Sequence, residues 1–150
     1  MSLLPLIPND YSYVVAVGTV GIYSLLTFQS INVSKARKAA NVQYPAPYAD
    51  QSVAERDQKA KVFNCTQRSH QNTLENLPIF LLTLFHSGLY HPRLAAAAGM
   101  IWIAGRVGYT IGYSSGEPSK RSTGFFGYIG YLPLFFFSSY KAISSLPVFQ

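Results

Sequence analysis

The stretch FNCTQRSHQNTLENLPIF, residues 63–80, decides how this chain is read. Its first half is densely polar, and its second half opens an apolar run through Leu77, Ile79, Phe80, Leu81, Leu82, Leu84 and Phe85. At about 100° per residue, Arg68, Asn72 and Glu75 fall on one narrow helical stripe, with Asn64 and Gln71 on its flanks. A guanidinium, an amide and a carboxylate on one face of an otherwise apolar helix are costly unless they face a bundle interior or a wet cavity. The stripe therefore marks a candidate site. Its competing reading is an Arg68–Glu75 ion pair with a purely structural role.

Working outward, the whole chain has the composition of a membrane protein. It is 49% hydrophobic and only 12% charged over 150 residues, against about 25% charged in ordinary soluble domains. The length suits one domain, residues 1–150. The net charge of +6 would suggest nucleic acid in a soluble protein. Here the cations cluster beside apolar runs, which points to membrane topology and anionic headgroups, and no nucleic-acid partner is expected. Cys65 is the lone cysteine, so it has no intramolecular disulfide partner. His70, His86 and His91 lack ligand spacing, and no metal site is expected. The first ten residues, MSLLPLIPND, carry no positive n-region or small-residue cleavage signature, so the apolar run that follows is read as a retained span.

Four helices emerge, an all-α bundle of four membrane spans. Span one covers about residues 11–33, with Asn9 or Asp10 as cap and Gly18 and Gly21 as a thin contact face. A basic collar, Lys35, Arg37 and Lys38, follows it. Pro45 and Pro47 hold the next connection out of helix. Ser52–Glu55 matches a capping box, so helix two is expected to start near Ser52, with Asp57 as the competing start. Its membrane portion covers residues 62–88, with Pro78 inside it. Span three, residues 94–113, has two edges. Trp102, Arg106, Tyr109 and Tyr113 share one face, and Ala104, Gly108 and Gly112 make a small-residue packing edge largely opposite it. Span four, residues 122–145, is aromatic-rich, contains Pro133, and ends near Lys141, which is expected to snorkel to the interface.

The cations orient the bundle. Lys35, Arg37, Lys38, Arg56, Lys59, Lys61, Lys120 and Arg121 lie on the side of loops one and three, while only Arg93 and Lys141 lie on the other. Loops one and three are therefore expected in the cytosol. The polar half of helix two, Tyr113, Arg37 and Arg121 then converge on the cytosolic interface. A small anionic polar molecule meeting a lipophilic one from the bilayer would suit such a place. Glutathione, a phospholipid headgroup and a nucleotide all satisfy that description on residue chemistry alone, through bidentate arginine–carboxylate or arginine–phosphate contacts.

The segments INVSKARK (31–38), FNCTQRSHQNTLE (63–75), GLYHPR (88–93) and GRVGYTIGYSSGEPSKRSTG (105–124) carry a resemblance spread over all four helices. Through them the chain resembles the family of membrane-associated proteins in eicosanoid and glutathione metabolism, and most of all its branch of third-type microsomal glutathione S-transferases. The resemblance implies a homotrimer with glutathione between neighbouring subunits near the cytosolic face. It carries the family's glutathione contacts onto Arg37, Arg68, His70, Asn72, Glu75, Tyr109 and Tyr113. The family's thiolate-activating arginine falls on Arg121 if the preceding turn has one extra residue, and Lys120 takes the position otherwise. Where the leukotriene C4 synthase branch has a tyrosine after the helix-two glutamate, this chain has Asn76.

The implied activity is conjugation of glutathione to lipophilic electrophiles and glutathione-dependent reduction of lipid hydroperoxides. Leukotriene C4 synthase activity is among the branch activities it brings in. The alternative is a non-catalytic, lipid-presenting protein like the family's lipoxygenase-activating branch. The implied location is the endoplasmic reticulum (microsomal) membrane among membrane lipids, with the outer mitochondrial membrane as the alternative.

Overall fold

The computed structural model describes residues 7–149, so most of the N-terminal segment read above lies outside the described residues. The described regular elements are all helical. They are α1 (Tyr11–Ala39), the short α2 (Gln51–Ala54), α3 (Gln58–Gly88), α4 (Pro92–Tyr113), a 3-10 segment (Pro118–Gly127), α5 (Tyr128–Ser144) and a last 3-10 turn. Two of them, α1 and α4, are long and apolar enough to cross a membrane. The first half of α3 is polar, and α5 is short, at 17 residues.

Apolar burial knits α1, α3, α4 and α5 together. Val14, Val17, Leu25, Phe80, Leu84, Trp102, Ile103 and Leu134 form the core. Phe80 and Trp102 stack with ring centroids 3.8 Å apart. The outside is also apolar: Tyr23, Ile129, Phe136 and Tyr140 are 74, 69, 62 and 67% exposed. Such a surface is unfavourable in water and suits lipid or another chain.

Glycines set the helix approaches. A Cβ on Gly18 would sit 2.6 Å from the Phe85 ring, and one on Gly21 would sit 2.8 Å from Ile103, so the thin face of α1 is the face pressed on α3 and α4. Both glycines lie in a π-type turn, Val17–Gly21, that interrupts the α-helical ladder. On α4 the packing edge differs from the periodicity reading. Ala104 is exposed, and Gly105 takes its place with Gly108 and Gly112. Gly105 meets the backbone of Gly124 and Gly127, and Gly112 meets Lys120 and Thr123. Backbone-to-backbone approach at Gly105 leaves no room for a methyl group there, which is why Ala104 turns outward. The packing edge therefore adjoins the arginine–tyrosine edge instead of opposing it.

Three further expectations are corrected by local chemistry. The Ser52 capping box does not open the long helix. Residues 51–54 make a single separate turn, and α3 starts after Asp57, whose carboxylate accepts the Lys59 N–H at 2.9 Å. Asp10 stands at the N-cap of α1 without capping it, because its carboxylate takes Arg93 Nε at 2.8 Å. The opening of the fourth helix is 3-10, stapled by the Thr123 hydroxyl to the Lys120 and Gly108 carbonyls at 2.6 and 3.0 Å. Lys141, expected at an interface, has its ammonium 4.9 Å from the centre of the Tyr90 ring.

Candidate functional site

A neutral network first fixes α3 between α1 and α4. The Gln29 amide donates to Thr73 Oγ1 at 2.8 Å and to Thr110 Oγ1 at 2.7 Å. Ser69 Oγ donates to Thr110 Oγ1 at 3.0 Å, and Thr110 and Thr73 pass their own protons to the Arg106 and Ser69 carbonyls. His70 Nδ1 lies 3.3 Å from Gln29 Oε1, which completes the amide. Gln29, Ser69, Thr73 and Thr110 are all buried with these needs met, so nothing here is left for a ligand.

One residue round the helix from Ser69 and Thr73, the face opens. Arg68 binds Glu75 in bidentate fashion, Nη1 to Oε1 at 2.6 Å and Nη2 to Oε2 at 3.2 Å, with both side chains nearly half exposed. Asn72 stands between two partners. Its amide is 3.5 Å from Glu75 Oε2, and its Oδ1 accepts from Arg106 Nη2 at 2.9 Å. Arg106 also donates from Nε and Nη2 to Thr73 Oγ1, at 3.1 and 2.9 Å, and its guanidinium lies 4.3 Å from the centre of the Tyr109 ring. Tyr113 meets Tyr109 edge-on at 5.6 Å. The Asn76 amide turns back to the Asn72 carbonyl at 2.8 Å.

These groups line a half-open cleft of about 290 Å³ between α3, α4, the 3-10 segment and the start of α5. Arg68, Asn72, Asn76, Arg106, Tyr109, Tyr113 and Arg121 form its polar part, and Trp102, Phe125, Tyr128 and Tyr131 its aromatic part. The 3-10 geometry aims Arg121. With about three residues per turn, Arg121, Gly124 and Gly127 stack in one row, and all three face the cleft. Lys120 belongs to the neighbouring row. Its ammonium pairs with Glu117 at 3.0 Å, and its carbonyl packs on Gly112.

Of the residues read from the sequence, Arg68, Asn72, Tyr109, Tyr113 and Arg121 line the cleft, and Glu75 joins it through Arg68. Arg37 and His70 do not come to it within one chain. Arg37 is buried under the loop after α1. Its Nη1 donates to the Ala46 carbonyl at 2.6 Å, and its guanidinium lies 4.5 Å from the Tyr44 ring centre and 4.6 Å from that of Phe63. His70 faces the Gln29 side of α3. Two polar lining groups were absent from the expected contacts, Arg106 and Asn76. Arg106 had a signal in its place on the same helical face as Tyr109, whereas Asn76 stood out only as a departure from a relative's pattern.

Comparison with known proteins assigns the chain to a family. A family model for the MAPEG family, the membrane-associated proteins in eicosanoid and glutathione metabolism, matches residues 15–140. The chain belongs to the MAPEG family. It is 35% identical over 109 residues to microsomal glutathione S-transferase 2 of Homo sapiens, a match covering 72% of this chain and 67% of the relative. It is 34% identical over 96 residues to an uncharacterized protein of Synechocystis sp., covering 63% of this chain and 62% of the relative. The second match therefore spans under two thirds of that relative's length. The matched residues 15–140 include the whole cleft lining.

Proposed function

We propose that this MAPEG protein is a membrane glutathione transferase, with the cleft of Arg68, Asn72, Glu75, Tyr109, Tyr113 and Arg121 as its glutathione site. The observation that carries the reading is one cleft joining a cation-rich polar end to an aromatic end. That is the demand of a reaction between a small anion and a lipophilic electrophile. Glutathione brings two carboxylates, one amine and a thiol. The Arg68 fork suits a carboxylate, and Glu75 suits the amine, so the ligand would replace each partner of the existing ion pair with one of its own groups.

In this reading Arg121 holds the sulfur. A free thiol has a pKa of about 8.5, so only a few per cent is thiolate at neutral pH. Lowering the pKa by about two units raises that fraction roughly 25-fold. Nucleophilicity falls with basicity, by roughly 8-fold over two units at a Brønsted slope of about 0.45. The net gain is only several-fold, so a larger effect requires Arg121 also to orient the sulfur and to stabilise charge in the transition state. The thiolate then attacks an electrophilic carbon, whose leaving group or opened ring oxygen takes the electron pair. The electrophile or lipid hydroperoxide would lie against Trp102, Tyr128 and Tyr131. Peroxidase and leukotriene C4 synthase activities belong to the same proposal.

The assembly belongs to it too: four spans in a single domain, in the endoplasmic reticulum membrane, with loops one and three cytosolic. The family resemblance supports a homotrimer with glutathione between neighbouring subunits. Arg37 and His70, committed in their own chain to the Ala46 carbonyl and to Gln29, would have to leave those partners to reach it. A cysteine placed at Gln51 should react with a cytosolic thiol reagent, and one placed at Gln150 should not. The decisive measurement is calorimetric binding of glutathione to purified protein in detergent, with turnover on an aryl halide and a lipid hydroperoxide. Binding without turnover on either substrate would favour the lipid-presenting reading, and no binding at all would end the proposal.

A further inference from the structure

A second crevice, of about 190 Å³, lies between α4 and α5 at the end of the bundle away from the Arg121 segment. Its walls are Leu94, Ala95, Ala98, Pro133, Leu134 and Phe137, and only Ser87 and His91 add polar atoms. The Ser87 hydroxyl is already committed to the Leu134 carbonyl at 3.3 Å, so the interior offers an occupant nothing but apolar contact. The rim is different. Lys141 stacks on Tyr90 and lies 6.0 Å from the Phe137 ring centre, and His91 lies 5.3 Å from the same ring. Among the described residues the Lys141 ammonium has no acidic partner. The carboxylate of Asp10 is taken by Arg93, and His86 is turned inward to Ser138 Oγ at 2.8 Å. An apolar slot with a cation beside its Phe137 wall is complementary to a chain with an anionic head. Leu94, 71% exposed, stands at the opening, so an apolar chain entering the crevice meets apolar surface from the start.

We propose that this crevice holds one acyl chain of an anionic membrane phospholipid, with the headgroup phosphate on Lys141. Neither Lys141 nor Leu94 touches the glutathione cleft, so the inference stands or falls independently of that function. The test uses the full-length protein reconstituted in bilayers of equal phosphatidylglycerol and phosphatidylcholine. After extraction, bound lipid is counted by native mass spectrometry. The wild type should retain phosphatidylglycerol about fivefold over phosphatidylcholine, the contribution of one lysine at an anionic lipid surface. Lys141→Gln should bring the two lipids to parity. Leu94→Glu, at an exposed position, should expel both while helix content and unfolding temperature stay those of the wild type. Equal retention by the wild type, or an undiminished preference in Lys141→Gln, overturns the proposal. Displacement of phosphatidylglycerol by an equimolar free fatty acid also overturns it, by assigning the crevice to another anion.

Discussion

Two faces of α3, one residue apart in sequence, use polar groups in opposite ways. Ser69 and Thr73 are buried, uncharged and saturated by Gln29, Thr110 and their own backbone. Arg68, Asn72 and Glu75 are partly open, mostly charged, and partnered by groups a ligand could replace. Neutral hydroxyls and amides are cheap to bury when every donor and acceptor is matched, so they serve to lock helices. Charges are costly to bury and valuable where solvent and ligand reach them, so they stay on the open face. The Arg68–Glu75 pair lies within α3, so in one chain it ties no helix to another. Arg106 joins the two faces, with its Nε on the locked Thr73 and its Nη2 also on the open Asn72.

The contrast can be broken first at its far rim. Arg121→Ala should cut turnover by about 100-fold or more, the scale of losing a charge-stabilising donor, while glutathione affinity measured by calorimetry changes little. A loss of only several-fold would mean that Arg121 acts through the thiol pKa alone. On the locked face, Gln29→Leu should lower stability by roughly 1–3 kcal/mol, because the Thr73 and Thr110 hydroxyls lose a buried partner. Thermal unfolding in detergent reads this, and glutathione affinity should move far less than stability. If affinity collapses while stability holds, the two faces are not separate devices.

On the open face the opposite pattern is expected. Glu75→Gln keeps the shape of the side chain and removes its charge, so it should weaken glutathione binding by about tenfold, the usual scale for losing one charge-assisted contact, with unfolding nearly unchanged. Arg68→Ala should behave in the same way. Unchanged affinity in both variants would make the stripe structural after all. The smallest effect is reserved for Lys120→Ala, which removes an exposed pair with Glu117 and should leave turnover within about twofold. A large loss there would move the activating cation by one residue.

The alignment of these residues is legible in the amino-acid sequence, for definite reasons. Helical periodicity holds within a continuous helix, so it was enough to align Arg68, Asn72 and Glu75 and to put Trp102, Arg106, Tyr109 and Tyr113 on one edge. The cost of polar groups in apolar helices marked that edge as a candidate site. Periodicity says nothing about which neighbour a face meets. The choice of Gly105 over Ala104 depended on the backbone of Gly124 and Gly127 across the interface. Arg121 rather than Lys120 faces the cleft because the segment winds with three residues per turn, a geometry stapled by Thr123 onto α4. Arg37 and His70 were drawn away by the Ala46 carbonyl, the rings of Tyr44 and Phe63, and Gln29, none of which shares a helical turn with them. Composition and local spacing are properties of the chain as it is written. Contacts between residues far apart in it come into being only when the helices pack.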